Sequence, residues 1–90
     1  MGERDILAEL RVDNRSARGV DLQVFADALR TYAEAADNIR KNGAIVQHPR
    51  TGAPITNPYL AVQEKAGAIL TRFKTVKADR VLKLLRGESA

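Results

Sequence analysis

The ninety-residue chain has no cysteine and no tryptophan, one histidine and only four aromatic rings. Without cysteine it can build neither a disulfide framework nor a thiolate metal site. The lone histidine, His48, does not supply the several nitrogen or sulfur ligands of a zinc centre, so no metal and no cofactor is expected. No Ser-His-Asp set has an order or spacing that argues for nucleophilic catalysis. No glycine cluster matches the phosphate-cradling G-x-x-x-x-G-K-[ST] pattern. Asp27, Glu34 and Asp37 fall on the polar sides of one helical pattern and read as surface charge rather than an acid–base pair. The expectation is a protein without catalytic residues. No run approaches the roughly 18 apolar residues of a membrane span, and no basic-then-apolar leader opens the chain. That points to a single soluble domain working in the cytoplasm, with a core kept small by the chain's size.

Charge is unevenly placed. The net +4 resides wholly in residues 64–90, because acidic and basic side chains balance over residues 1–63. Lys74, Lys77, Arg80, Lys83 and Arg86 recur every third residue, which on a helix makes a slowly drifting basic stripe. Such a stripe suits phosphate contacts that give affinity without sequence readout. Arg15 and Arg18, in the polar DNRSARG stretch, are further candidates for contacting DNA. The plainer alternative is a solvated helix face whose opposite side, Val81, Leu82, Leu84 and Leu85, docks a protein partner.

The periodicity is helical almost throughout. Ile6, Leu7 and Leu10 predict a short helix over residues 3–12. Leu22, Phe25, Ala26, Leu29, Tyr32, Ala33, Ala36 and Ile39 share one face of a long helix over 21–41. Asp21 is placed to cap it. Arg30–Glu34 and Asp37–Lys41 are spaced as i,i+4 pairs on its outer side. Asn42-Gly43 stops it, with Gly43 suited to a left-handed position. A second long helix starts at Pro58, capped by Asn57. Its apolar positions Tyr59, Val62, Ala66, Ile69, Phe73 and Val76 form a heptad-like seam. The seam ends near Lys77–Asp79, where a bend is expected, and Asp79 can cap a last short helix closed by Gly87. All four aromatics, Phe25, Tyr32, Tyr59 and Phe73, lie on inward stripes.

Between the long helices the composition changes. Ala44–Gln47 favours extended backbone, His48-Pro49-Arg50-Thr51-Gly52 is a turn, and Ala53–Thr56 returns. Pro54 restricts that return to an edge strand or a loop. The resulting fold class is mainly α: two long antiparallel helices joined by a β-hairpin-like finger, with short terminal helices. Its single domain divides into a short helix and loop (1–19), a helical hairpin (20–76, finger 43–57) and a basic C-terminal helix or tail (77–90). Two helices cover each other's apolar faces poorly, so Tyr59, Val62, Ile69 and Phe73 are candidate contacts in an oligomer.

The ordered set VDLQVFADALRTYAEAADNIRKNG, GAIVQHPRTGAPI and NPYLAVQEKAGAILTRF, spanning Val20 to Phe73, resembles the phage terminase small subunit family of long-tailed phages. The resemblance implies a homo-oligomeric ring of about eight to ten copies. It further implies that the chain binds double-stranded phage DNA, delivers it to the large terminase subunit (an ATPase and nuclease) and regulates that enzyme. The finger would mediate contacts between neighbours, adding Ile45, Val46 and Ile55 to the oligomerisation residues. Only about twenty residues precede Asp21, so a sequence-reading element is expected to be reduced and DNA binding unspecific. Two other readings fit parts of the sequence: a small dimeric DNA-binding regulator, and a helical adaptor using its C-terminal helix.

Overall fold

The computed structural model describes residues 3–85 and 87. The elements in chain order are α1 (Glu3–Asp13), α2 (Gly19–Asn42), β1 (Ile45–Gln47), β2 (Pro54–Thr56), α3 (Tyr59–Arg72) and α4 (Asp79–Leu85). α2 and α3 form the expected antiparallel hairpin. The rings of Phe25 and Phe73 meet edge to face at 6.0 Å, Tyr32 lies over Gly67 and Asn38 bonds Asn57. Rising positions on α2 thus meet falling positions on α3.

α2 begins two residues before Asp21, which is therefore not its cap. Arg18 holds the cap position with extended backbone and no side-chain bond, and its carbonyl accepts the Leu22 N–H at 3.1 Å. Asp21 instead lies in the first turn, where a carboxylate faces the positive end of the helix dipole. At the other end the Gly43 N–H donates to the Ile39 carbonyl at 2.7 Å. Gly43 adopts φ 86° as glycine permits, but its ψ of 172° is extended rather than left-handed helical and sends the chain straight into β1.

The finger is a two-stranded antiparallel ladder with Ile45 opposite Thr56, Val46 opposite Ile55 and Gln47 opposite Pro54. Its turn is more organised than a solvated loop. His48 Nδ1 accepts the N–H groups of Arg50 at 3.1 Å and Thr51 at 3.4 Å. The Gly52 N–H, at φ 72°, donates to the His48 carbonyl at 2.8 Å. At the finger's base Asn57 is buried and caps α3 as the sequence suggests, its Oδ1 accepting the Tyr59 N–H at 3.0 Å. Its Nδ2 donates to Asn38 Oδ1 at 3.0 Å and to the Gly43 carbonyl at 2.9 Å. One side chain therefore ties the start of α3 to the end of α2. Asn57→Ala removes the cap and strands buried partners, and should lower stability by about 2 kcal/mol, read from urea unfolding followed by circular dichroism.

The core lies at the opposite end of the hairpin from the finger. Ile6 and Leu10 of α1, Leu22, Phe25, Ala26 and Leu29 of α2, and Val81 of α4 are buried together, with Leu70, Phe73, Val76, Leu82 and Leu85 packed on them. This corrects three sequence expectations. First, α3 stops at Arg72, not near Lys77–Asp79, so Phe73 and Val76 do not extend a helical seam. Phe73 leaves the helix and turns its ring onto Phe25, packing against the chain's own core. Second, Val81 is 0% exposed and cannot belong to a docking surface, and Leu82 and Leu85 pack on the core beside it. Apolar residues on a seven-residue helix are drawn inward because this small core has few others. Third, Tyr59 is 41% exposed, so not every aromatic faces inward. Asp79 is the first residue of α4, whose leading turn is closed by the Leu82 N–H bonded to the Ala78 carbonyl at 2.8 Å.

Toward the finger the helices touch through small residues: Ala35 and Ala66 are buried, and a side chain added at Gly67 would meet the Tyr32 ring at 3.4 Å. On the outer face of α2, Asp37 pairs with Lys41 at 2.9 Å and also with Arg40, while Arg30 pairs with Asp27 at 2.9 Å. The bond from Lys41, then that from Arg40, holds the Asp37 carboxyl below the usual carboxylate range. The folded chain therefore binds fewer protons there than the unfolded chain. The stabilisation is present above the unfolded pKa and is lost as pH falls through the folded one. Asp37→Asn should remove this part of the acid sensitivity, so unfolding curves of the two proteins should converge at low pH; equal separation at every pH would overturn it.

Candidate nucleic-acid interface

The cationic side chains expected to touch DNA come from two stretches far apart in sequence. α1 ends at Asp13 and the chain turns through Asn14–Arg18 before α2. After α3 the chain runs without helix from Phe73 to Ala78. Asn14 joins these segments. Its buried side chain accepts the Lys77 N–H on Oδ1 at 2.7 Å, and its Nδ2 donates to the Lys77 carbonyl at 2.8 Å and the Leu10 carbonyl at 2.8 Å. These bonds need the Lys77 backbone groups free of any helical partner, which gives a physical reason for the early end of α3.

The result is a cleft of about 500 Å3 lined by Asp13, Asn14, Arg15, Ser16, Thr75 and Lys77. Arg15 and Lys77, well separated in the chain, face the same cleft. Arg18 and Lys74 are exposed and adjoin the lining residues Ala17 and Thr75 in the chain, and Arg11 and Arg15 line an adjoining depression. Cations and hydroxyls on one concave surface match the donor set of a phosphate-contacting site.

The continuous basic stripe is not formed. Lys74 and Lys77 precede α4, so the three-residue spacing does not fall on one helix. Arg80 is turned onto α1: it pairs with Glu9 at 2.6 Å and Asp13 at 3.0 Å, and donates to the Glu9 carbonyl at 3.1 Å. The Glu9 bond, then the Asp13 bond, makes it hold its proton more tightly than a free guanidinium. Arg80 therefore clamps α4 to α1, and it neutralises Asp13, whose charge would otherwise oppose Arg15 and Lys77. Lys83 is exposed on α4, and Arg86 lies outside the described residues. Sequence reasoning missed Asn14, Ser16 and Thr75. Only an Asn immediately after a helical pattern hinted at the first.

The oligomerisation residues separate into groups. Ile45 is 61% exposed and Val46 and Ile55 are half-buried on the finger. Val62 and Ile69 open onto a shallow groove of about 400 Å3 between α2 and α3, shared with Val24, Ala28, Thr31 and Ala66.

A helical hairpin interrupted by a two-stranded finger is the arrangement the resemblance implies, and comparison with protein-family models matches residues 4–75 to the family described as phage terminase, small subunit. The chain belongs to the phage terminase small subunit family. The match covers nearly all of α1, the hairpin, the finger and the first half of the 73–78 segment, so it takes in the Asp13–Ser16 wall of the cleft and Thr75, while Lys77 lies just past its end. Comparison with curated proteins and with solved structures gave no match. Membership places the small subunit in phage DNA packaging. Among the described residues no helix is long and apolar enough to cross a membrane.

Proposed function

We propose that this small terminase subunit binds double-stranded DNA through Arg15, Arg18, Lys74 and Lys77, with Lys83 as a peripheral contact. It delivers that DNA to the large terminase subunit, an ATPase and nuclease whose activity it regulates during genome packaging. The reading is carried by one observation: Asn14 fastens the Arg15 turn to the Lys77 segment, so cations from both ends of the domain face one cleft. The cleft offers charge and hydroxyl donors without an element aimed at base edges, and so favours unspecific backbone binding. The subunit carries no catalytic residues and uses no cofactor. It assembles in the cytoplasm of the bacterial host as a ring of about eight to ten copies, as such packaging subunits do by closing a head-to-tail interface. The half-buried Val62 and Ile69 beside an open groove support an apolar contact between copies.

Fluorescence anisotropy of a short labelled duplex, titrated across salt concentrations, tests the DNA reading. Contacts from four cations should give a log–log salt slope of about −3 to −4, with little difference between unrelated duplexes. A slope near zero, or strong preference for one sequence, would sink it.

A further inference from the structure

The finger's two outer edges are unlike each other. In its ladder the His48 N–H donates to the Ala53 carbonyl at 2.8 Å and the Asn57 N–H to the Ala44 carbonyl at 2.8 Å. Backbone groups alternate in direction along an antiparallel strand, so Val46 and Ile55 also point into the ladder. Ile45 and Gln47 on β1, and Pro54 and Thr56 on β2, point their backbone groups outward. Proline has no N–H, so Pro54 sits where its missing donor breaks no bond, and it blunts the β2 edge. The β1 edge has no such protection. Among the described residues no third strand joins the sheet, and Ile45 is the most exposed of the large hydrophobic side chains. Beside β1 runs a groove of about 550 Å3, lined by Asn38, Asn42, Ile45, Val46 and Tyr59 among others.

We propose that β1 is an assembly edge that pairs antiparallel with β1 of a second copy, around a twofold axis centred on Val46. In that register the N–H and C=O of Ile45 meet those of Gln47 of the second copy, and the reverse, so every outward group of both strands is used. A slip by one residue leaves some unpaired. The side chains favour the same register. Val46 and Ile55 are cross-strand partners on one face of the finger, and the twofold continues them into a row Ile55–Val46–Val46–Ile55 across both copies. Such β-branched neighbours stabilise a sheet. Pairing of β1 with β2 of another copy is disfavoured because Pro54 offers no donor there. The finger contact is thus isologous, unlike the head-to-tail contact that closes a ring, so it joins two of the proposed rings back to back in an assembly of dihedral symmetry. It uses none of the proposed DNA-binding residues and stands or falls separately from the DNA reading.

A cysteine at position 46 tests it, since each copy otherwise lacks a thiol. Residues facing each other at a non-hydrogen-bonded position have Cα atoms about 4.5 Å apart, within reach of a disulfide. Val46→Cys should become mostly covalent dimer on a non-reducing gel after mild oxidation. Ile55→Cys should stay monomeric, because the two copies of residue 55 lie about 14 Å apart across three strand spacings. Failure of Val46→Cys to cross-link, or equal cross-linking of both variants, overturns the proposal. Gln47→Pro, which removes an outward N–H in the way Pro54 does, should halve the native mass by light scattering while keeping the helical circular dichroism. An unchanged native mass overturns it equally.

Discussion

Replacing Arg15 and Lys77 together by alanine should weaken duplex binding roughly tenfold to hundredfold at moderate salt and reduce the magnitude of the salt slope by about 2. Both side chains line one cleft and both are exposed, so neither substitution removes core packing. The loss should be the same for unrelated duplexes, because phosphate contacts carry no base information. Arg50→Ala gives the comparison. Arg50 is exposed in the finger turn, beyond the far end of α2 from the cleft, and its loss changes net charge without touching the proposed surface. If the finger variant and the cleft variants weaken binding equally per charge removed, the chain acts only as a diffuse cation and the cleft is not the contact.

Asn14→Ala should lower unfolding stability by about 2–4 kcal/mol, a large share of the roughly 5–13 kcal/mol expected of a chain this size. The size of the effect follows from what is left behind. The Lys77 N–H and C=O and the Leu10 carbonyl lose their partner, and a buried polar group without a bond costs more than the bond contributes. Asn14→Asp should not rescue the protein. A carboxylate keeps the acceptor for the Lys77 N–H, but it faces two carbonyls where the amide donated, and it puts a charge in a buried site. Urea unfolding followed at a helical circular dichroism band measures both variants, and a wild-type midpoint for either would refute the staple. The alanine variant should also bind DNA less tightly although Asn14 need not touch DNA, because Arg15 and Lys77 would no longer be held against each other.

These two expectations separate what is local in this chain from what is not. Local chemistry determined a great deal. The apolar period of residues 22–39 gives α2 because one stripe must be buried, and Asn42-Gly43 ends it because glycine alone takes the φ required there without strain. The Ile-Val run, the Pro-Arg-Thr-Gly turn and Pro54 favour a finger through bonds among neighbouring residues. Asn57-Pro58 starts α3 because the amide satisfies a free N–H and the proline lacks one that the helix would have wasted. The ordered set of these features also pointed to the packaging family, since each is written in a few neighbouring residues.

The tertiary structure decided the rest, and the reason in each case is a partner distant in sequence. Nothing near residue 73 in the sequence says that α3 ends there. The helix stops because Asn14 claims the Lys77 backbone and because Phe73 has Phe25 to meet. A three-residue spacing cannot reveal that Arg80 is held by Glu9 and Asp13 while Lys77 stays at the cleft, because charge periodicity on one segment is blind to carboxylates on another. Val81 looked available for a partner until α1 and α2 enclosed it. The elements follow from contacts between close residues. The cationic cleft exists only where two ends of the chain are bonded together, and that depends on the buried Asn14.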